Sequence, residues 1–342
     1  MNGQPLTGHT SDATATPLRL GTRRSALAMA QSGMVAREVT RLTGRPVELV
    51  EITTYGDTSR EALAQIGGTG VFVSALRDAL LEGRIDFAVH SLKDLPTTAP
   101  EGLVLAAVPQ REDSRDALVA REGLALGELV EKLAGSGRAA RVGTGSPRRM
   151  AQLNAWARAN GVRLETVAIR GNVDTRIGFV TSGELDAVVL ATAGLNRLGR
   201  AAEITEHLDP ELMIPAPGQG ALAVECTPAA VLPDGSGLAA ALSALDHAPT
   251  RVAVAAERAL LSTLEAGCSA PVAALAGWEH QTELRLEGVV GTVDGATLLK
   301  MSAHGPIVLD ETAEQQAAAL GRALAARLLD AGAAALMGER AR

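Results

Sequence analysis

Residues 18–22 read "LRLGT" and residues 25–42 read "SALAMAQSGMVAREVTRL", a short β-type run followed by an amphipathic segment with helical spacing. Apolar residues that recur every three or four positions indicate a helix with one buried face, whereas short apolar runs indicate strands. The same alternation continues along the chain in "VELVEITT" (47–54), "VFVSALRDALLEG" (71–83), "FAVHS" (87–91) and "LVLAAV" (103–108). Strands that alternate with helices predict an α/β fold.

A second series of the same kind follows the first. Its predicted strands are "ARVGTGS" (140–146), "LETVAIRGN" (164–172) and "LDAVVLATAG" (185–194). The Pro- and Gly-containing segment "MIPAPGQGALAVEC" (213–226) then interrupts the alternation, which predicts a strand that returns to the first domain. We therefore predict domain 1 from residues 18–110 plus 216–236 and domain 2 from residues 111–215.

The C-terminal part of the sequence has a different pattern. Three apolar strands separate two long helical segments, at "VAALAGW" (272–278), "LRLEGVVG" (284–291) and "TLLKMSAHG" (297–305). Consecutive strands joined by short connections predict a small α+β domain with an antiparallel sheet, over residues 237–342. Residues 1–17 are polar and are predicted to be a disordered leader.

Composition excludes several classes of protein. The chain has 342 residues with a formal net charge of −7 and only 2% aromatic residues, which disfavours nucleic acid and anionic membranes as partners. The sequence contains no unbroken stretch of eighteen apolar residues, so it predicts no membrane span. The six scattered histidines do not predict a metal centre, and the two cysteines favour a reducing compartment, hence a cytoplasmic protein.

A polar cluster follows the third predicted strand, in "RIDFAVHSLKDLPT" (84–97). The strand runs directly into a polar cluster, and a proline then ends the segment; the cluster consists of His90, Ser91, Lys93 and Asp94. Ligands of open α/β sheets bind outside the carboxyl ends of strands, so this cluster is a candidate site. The alternative is a solvated loop whose two charges are ordinary surface charges.

The segment "RVGTGSPRRMAQL" (141–153) places Arg148 and Arg149 in the first turn of a predicted helix. Cations are unfavourable at the positive end of a helix, so we expect an anion to offset them. The hydroxyls of Thr144 and Ser146 and the free backbone N–H groups complete a pocket suited to carboxylate or phosphate. The segment lacks the Gly-Lys-Ser/Thr ending of a nucleotide-binding loop.

More arginines follow other predicted strands. Each alone is more often a surface residue than a ligand contact. Together with Lys93 and the arginine pair they predict two domains that face each other across a positively charged cleft, whose ligand carries several carboxylates. These additional residues are Arg23, Arg170, Arg176 and Arg197.

Cys268 lies just beyond a predicted helix, "TRVAVAAERALLSTLEAG" (250–267), which we expect Gly267 to cap. The C-terminal end of a helix disfavours a thiolate, which argues against a nucleophilic enzyme of the protease type. Two alternatives remain open at this point. The thiol is a small buried apolar side chain, or it is the site of a single covalent attachment.

Eight ordered segments of the chain resemble the porphobilinogen deaminase family. The resemblance extends from about residue 18 to the C-terminal helix, and eight blocks in one order are far more specific than any single motif. The segments are "GTRRSALAMAQ", "HSLKDLPT", "REDSRDAL", "GTGSPRRMAQL", "IRGNVDTR", "AGLNRLG", "PAPGQGALAVEC" and "AERALLSTLEAGCSAPV". The resemblance implies two similar domains with the fold of type 2 periplasmic binding proteins and a third, α+β domain.

The resemblance also implies an activity, a cofactor and site residues. Four porphobilinogen molecules would be joined head to tail with release of ammonia, on a dipyrromethane bound through a thioether to Cys268, and hydrolysis would release hydroxymethylbilane. Asp94 matches the catalytic carboxylate, and Phe72, Ser91 and Gln219 match other cleft positions. The matches to carboxylate-binding positions are Arg23, Ser25, Lys93, Thr144, Ser146, Arg148, Arg149, Arg170, Arg176 and Arg197.

Three positions depart from the family pattern. Gln65 and Thr69 replace lysines that many members carry in a glycine-rich loop, and Asn196 replaces a frequent basic residue. The family resemblance implies a monomer without an obligate protein partner. The alternative function is that of a non-catalytic two-domain protein that binds a small polycarboxylate, for which Asp94 and Cys268 would have no role.

Overall fold

The computed structural model describes residues 16–53, 70–233, 235–265, 270–280 and 282–337, without the side chains of residues 70–72. The predicted leader therefore lies almost entirely outside the described residues. Within these ranges the strands are β1 (Leu18–Thr22), β2 (Val47–Glu51), β3 (Phe87–Ser91), β4 (Val104–Ala107), β5 (Asp116–Ala120), β6 (Ala140–Thr144), β7 (Leu164–Ala168), β8 (Ala187–Ala191), β9 (Glu206–Leu208), β10 (Leu222–Cys226), β11 (Val272–Glu279), β12 (Glu283–Gly291) and β13 (Leu298–Pro306).

The helices of the described residues alternate with these strands in the first two-thirds of the chain. They are α1 (Ala26–Thr43), α2 (Gly70–Leu81), α3 (Leu126–Gly135), α4 (Pro147–Ala159), α5 (Val173–Thr181), α6 (Thr192–Arg197), α7 (Leu238–Leu245), α8 (Ala248–Thr263), α9 (Ala313–Asp330) and α10 (Ala333–Leu336). No helix in the described part of the chain combines the length and the apolar composition that a bilayer crossing requires.

The first sheet has the order β2-β1-β3-β10-β4. Strand β1 is parallel to both β2 and β3, whereas β10 is antiparallel to β3 and β4. Strand β10 comes from a segment more than a hundred residues after β4, and its five residues are all buried. The Pro- and Gly-rich segment before β10 thus leads the chain back into the first sheet.

The second sheet has the order β7-β6-β8-β5-β9 and repeats the arrangement of the first. Strand β6 is parallel to β7 and β8, and β5 is antiparallel to β8 and β9. In both sheets the fourth strand is therefore the reversed one. This strand is β5 in the second sheet, where it comes first along the chain, and β10 in the first sheet, where it comes last. The same architecture therefore arises from two different chain orders.

The third sheet is antiparallel, in the order β11-β12-β13, and α8 and α9 pack together on it. The two helices approach closely at Gly321, where an added Cβ would lie 2.2 Å from the carbonyl oxygen of Ala256. A core of aliphatic side chains, among them Leu260, Leu286 and Leu324, fills the space between helices and sheet. The predicted fold class, two similar α/β parts and a small antiparallel α+β part, is confirmed.

The ends of helix α1 agree with the sequence prediction, whereas the C-terminal end of helix α8 does not. Helix α1 begins after Ser25, whose hydroxyl accepts the N–H of Ala28, and ends at Gly44 in the left-handed conformation (φ 67°). Helix α8 ends at Thr263, four residues before the predicted cap at Gly267. Glu265 adopts a left-handed φ of 49°, which a continuing helix does not allow.

Candidate functional site

The turn that follows strand β3 carries the predicted catalytic carboxylate. Residues Leu92–Asp94 form one turn of 3-10 helix, and Leu92 is completely buried beneath it. The buried side chain of Leu92 anchors the turn. Lys93 and Asp94, which follow it, are only partly buried and line a cavity. Among the described residues, no side chain or backbone N–H donates a hydrogen bond to the Asp94 carboxylate. The carboxylate is therefore available to a ligand.

The N-terminus of helix α4 forms the facing wall of the cavity. Thr144 ends strand β6, and its hydroxyl accepts the N–H of Ser146, which precedes the helix. Arg148 and Arg149 follow in the first turn, and each is only 5% exposed. The sequence predicted that an anion offsets these two cations, and the structure identifies one within the chain itself.

That anion is the carboxylate of Asp116, a completely buried residue at the start of strand β5. Arg148 Nη1 lies 2.7 Å from Asp116 Oδ2, and Arg149 Nη2 lies 2.7 Å from Asp116 Oδ1. Burial alone would raise the pKa of Asp116, but the two guanidinium groups hold it far below the usual range for a carboxyl. Sequence analysis missed Asp116, although an aspartate at the start of an apolar strand indicates a buried carboxylate that can pair with the arginines.

Gln219 joins the two walls of the cavity. Its side-chain amide donates to Asp116 Oδ1 at 2.8 Å, and its carbonyl oxygen Oε1 lies 3.3 Å from Lys93 Nζ. Gln219 is 1% exposed and Asp116 is completely buried, so the hydrogen bond between them is shielded from solvent. Lys93, Asp116 and the arginine pair are thus one connected group, as the prediction of a shared cleft requires.

The cavity has a surplus of positive charge. Burial lowers the pKa of the Lys93 ammonium to about 8, with the charge of Asp94 acting in the opposite direction. Burial also lowers the pKa of Arg176, and the neighbouring charges of Arg149 and Arg170 lower it further. Cations that disfavour one another in a partly desolvated space are stabilised by an anionic ligand.

The cavity has a volume of about 470 Å³ and lies where all three sheet-containing parts of the chain meet. Such a volume is typical of small-molecule sites. The first part contributes residues 93–98, the return segment contributes Ala216, Pro217 and Gln219, and the second part contributes residues 145–149 and Arg176. The third part contributes Leu261, Ala270 and Val272.

Several predicted residues lie outside this cavity wall. Ser91 accepts a hydrogen bond from Gln31 at 3.0 Å, and Ser25 caps helix α1. Arg23 is half-buried and Arg170 is exposed. Arg197 donates to the carbonyl of Gly220 and lines a separate cavity of about 390 Å³, so the structure does not bring it together with Lys93.

Four further positions from the sequence analysis cannot be placed in the site. Cys268 lies outside the described residues, as do Gln65 and Thr69, and the side chain of Phe72 is not described. Ala270, two residues after Cys268, lines the cavity. Asn196, the third departure from the family pattern, donates to Glu112 Oε1 at 3.1 Å.

Glu257 of helix α8 holds backbone segments next to the cavity, and sequence analysis also missed it. It is completely buried, and its Oε2 accepts the N–H of Gly218 at 2.6 Å while its Oε1 accepts the N–H of Ala276 at 2.8 Å. Arg111 neutralises it at 2.7 Å. A carboxylate with these partners fixes the return segment against the third part of the chain.

The residues present fit an acidic oligopyrrole of the kind that the sequence resemblance implies. The donor set consists of ammonium, guanidinium and hydroxyl groups, which suits the carboxylates of such a group. Arg148 Nε is buried without a hydrogen-bond partner, although Nη1 of the same guanidinium donates to Asp116 Oδ2 and to the carbonyl of Ile214. A buried donor without a partner is costly, so a ligand oxygen would satisfy it.

These features define a class: a two-part α/β clamp for a small polycarboxylate, closed by a third part that also contacts the cavity, with one carboxylate left exposed to the ligand. A family model described as porphobilinogen deaminase, dipyromethane cofactor binding domain, matches residues 18–230. A second, described as the C-terminal domain of porphobilinogen deaminase, matches residues 252–330. The chain belongs to the porphobilinogen deaminase family.

Relatives of similar length carry the same family name. Porphobilinogen deaminase 1 of Streptomyces coelicolor is 66% identical over 328 residues, which cover 95% of this chain and 98% of that protein. Porphobilinogen deaminase of Thermobifida fusca is 54% identical over 318 residues, covering 93% and 95%. The predicted enzyme class and cofactor are confirmed, and the non-catalytic binding protein is the weaker interpretation.

A solved structure of the periplasmic aliphatic sulphonate binding protein from Escherichia coli is 14% identical, covers 73% of this chain and 70% of that chain, and has a TM-score of 0.36. This score is too low to support an argument. The architecture rests on the two matching sheet orders described above.

Proposed function

We propose that this chain joins four porphobilinogen molecules head to tail with release of ammonia, and then releases hydroxymethylbilane by hydrolysis. The observation that carries the proposal is that Asp94 and a group of connected cations line one cavity of about 470 Å³. A carrier for a polycarboxylate needs the cations alone. An enzyme that removes ammonia also needs the carboxylate.

Asp94 stabilises the positive charge that develops on the substrate when ammonia leaves. A carboxylate about 4 Å from a unit positive charge contributes about 4 kcal/mol at an effective dielectric constant near 20. Because this charge is absent from the intact substrate, the interaction favours the transition state over the ground state. The same carboxylate can accept the pyrrole N–H and the proton that is lost when two rings are joined.

The cations hold the acetate and propionate side chains of the pyrroles. Lys93, Arg148, Arg149 and Arg176 line the cavity together with Ser146. The Asp116 carboxylate fixes the arginine pair before the ligand arrives, so less side-chain entropy is lost on binding. We assign Arg23, Ser25, Thr144, Arg170 and Arg197 to other carboxylates of the lengthening chain, and Phe72, Ser91 and Gln219 to further cleft contacts.

Cys268 is the proposed attachment point of dipyrromethane. When bound, this group supplies the free pyrrole position to which the first substrate is joined. The other cysteine, Cys226, is completely buried in β10, and burial raises the pKa of its thiol to about 11. Cys226 is therefore unsuited to the attachment. The position of Cys268 is suitable, because Ala270, two residues after it, lines the cavity.

We also propose the three domains 18–110 with 216–236, 111–215 and 237–342. In support, the strands of the first, second and third sheets fall within these respective ranges. The two cysteines of the chain support a cytoplasmic location, and the net charge of −7 supports the absence of a nucleic-acid partner.

The mass of the purified protein tests the covalent cofactor. We expect the wild type to exceed its sequence mass by one dipyrromethane and the Cys268→Ser variant to lack this excess. The matched control is Cys226→Ser, which should keep the additional mass. A wild type without any additional mass would contradict the proposal.

The rate of ammonia release tests the role of Asp94. The Asp94→Asn variant keeps the shape of the side chain and removes its charge, so turnover should fall by at least about tenfold to a hundredfold. Asp78→Asn is the control, because Asp78 is exposed on helix α2 of the same domain. Near wild-type ammonia release by Asp94→Asn would remove Asp94 from the mechanism.

A further inference from the structure

One arginine of the third domain reaches the turn that carries Asp94. Arg258, on helix α8, donates through Nη1 to the carbonyl of Leu95 at 3.1 Å and, at the longer distance of 3.4 Å, to the carbonyl of Leu92. Its Nη2 donates to the carbonyl of Pro96 at 2.7 Å. The three carbonyls precede and follow Asp94, so a single side chain holds both ends of the turn.

These contacts suit the geometry of a guanidinium group. Its N–H donors form a rigid planar fork, so three carbonyls can be bound from one position, which a lysine ammonium on a flexible stem reproduces poorly. Arg258 is half-buried, and this burial lowers its pKa. The group is therefore partly removed from water, and hydrogen bonds from a charged donor are stronger in that environment.

The residue before Arg258 holds the neighbouring wall of the same cavity. Glu257 accepts the N–H of Gly218, within the return segment that contributes Pro217 and Gln219 to the lining. Two consecutive residues of one helix thus fix two cavity segments from different parts of the sequence. Helix α8 ends at Thr263, five residues before Cys268. The helix is therefore a common support for Asp94 and for the segment that leads to the proposed attachment point.

We propose that Arg258 is a positioning residue, which holds the Leu92–Pro96 turn so that the Asp94 carboxylate faces the reacting atoms. This inference rests on the proposed function of Asp94. Arg258 itself is placed against backbone carbonyls, not in the cavity lining. Without it the three carbonyls lose their charged donor and the turn can shift. A displacement of about 1 Å at a reacting group can cost about a hundredfold in rate.

The test compares Arg258→Gln with the control Arg251→Gln in the holoenzyme. Arg251 lies two turns earlier on the same helix, pairs with Asp246 and donates to the carbonyl of Leu105, so it also links helix α8 to the first domain. We expect Arg258→Gln to lower kcat for ammonia release at least about tenfold, and Arg251→Gln to change it less than about threefold. Arg258→Lys, which keeps the charge but offers a single donor nitrogen in place of the planar fork, should give an intermediate kcat and remains available if Arg258→Gln does not fold.

A double-mutant cycle with Asp94→Asn separates positioning from general stabilisation. If Arg258 acts through Asp94, adding Arg258→Gln to Asp94→Asn should lower the residual rate less than about twofold. Hydrogen exchange supplies a readout independent of activity. Backbone amides of residues 92–98 should exchange faster in Arg258→Gln than in wild type, and should be unchanged in Arg251→Gln.

The outcomes distinguish this inference from the proposed function. If the wild type releases no ammonia from porphobilinogen, or if Asp94→Asn keeps full turnover, the proposed function is wrong. If both behave as expected, equal rates and equal exchange in Arg258→Gln and Arg251→Gln overturn the positioning role. A full additional rate loss in the Asp94→Asn background also overturns it.

Discussion

Replacing Asp116 with asparagine is the most direct test of how the cationic pocket is maintained. The substitution keeps the size of the side chain and removes the charge that two guanidinium groups share at 2.7 Å each. Arg148 and Arg149 would remain buried at 5% exposure without a counter-charge. Removing one partner of a buried ion pair costs about 3 to 5 kcal/mol, because the remaining charge stays desolvated.

The expected result is a large loss of stability at pH 7. A loss of 1 kcal/mol lowers Tm by about 2 to 4 °C in a folding unit of about 150 to 250 residues and by more in a smaller one such as the proposed domain 2, so Tm should fall by at least about 6 °C. Differential scanning calorimetry measures this change. The control is Asp113→Asn, three residues earlier, because Asp113 pairs with Arg115 where the two side chains are 24% and 40% exposed. Exposed pairs contribute at most about 1 kcal/mol.

The pH dependence of the loss identifies its cause. The pKa of Asp116 is lower in the folded protein than its unfolded value of about 3.9, so its contribution is complete above that value. As pH falls below about 4, the wild type progressively loses this stabilisation and the variant does not. The Tm difference should therefore be constant from pH 7 to 5 and shrink under more acidic conditions. If Asp116→Asn is no less stable than Asp113→Asn at pH 7, the argument from a buried charge is refuted.

Three further predictions concern the cavity and the third domain. In cofactor-free Cys268→Ser protein, the affinity for porphobilinogen measured by titration calorimetry should fall as pH rises through about 8, because Lys93 with its lowered pKa then loses its charge. The additional substitution Lys93→Arg should abolish this pH dependence. The Arg149→Leu variant should lower both Tm and substrate affinity, since Arg149 is bound to Asp116 as well as lining the cavity; unchanged Tm would contradict the buried pair. The Gly321→Ala variant should lower Tm, because its Cβ would lie 2.2 Å from the carbonyl oxygen of Ala256; an unchanged Tm would show that α8 and α9 separate easily.

The local patterns of the sequence determined the element types and the location of candidate residues. Alternating apolar periodicities predicted the α/β parts, and the Pro- and Gly-containing segment before β10 predicted the return to the first sheet. The motifs around Asp94, Arg148 and Cys268 each occupy only a few consecutive residues. Chemistry of this kind is readable from sequence because strand ends, turns and helix starts depend mainly on neighbouring residues.

The tertiary structure decided the partners of those residues. Asp116 binds arginines 32 and 33 positions away, Gln219 reaches Asp116 across 103 positions, and Arg258 reaches the turn after Asp94 across 162 to 166 positions. Arg197, in contrast, lines a different cavity from Lys93 despite its equivalent place after a strand. Which distant side chains meet depends on the order and direction of strands and on the packing of domains, and no local pattern contains that information.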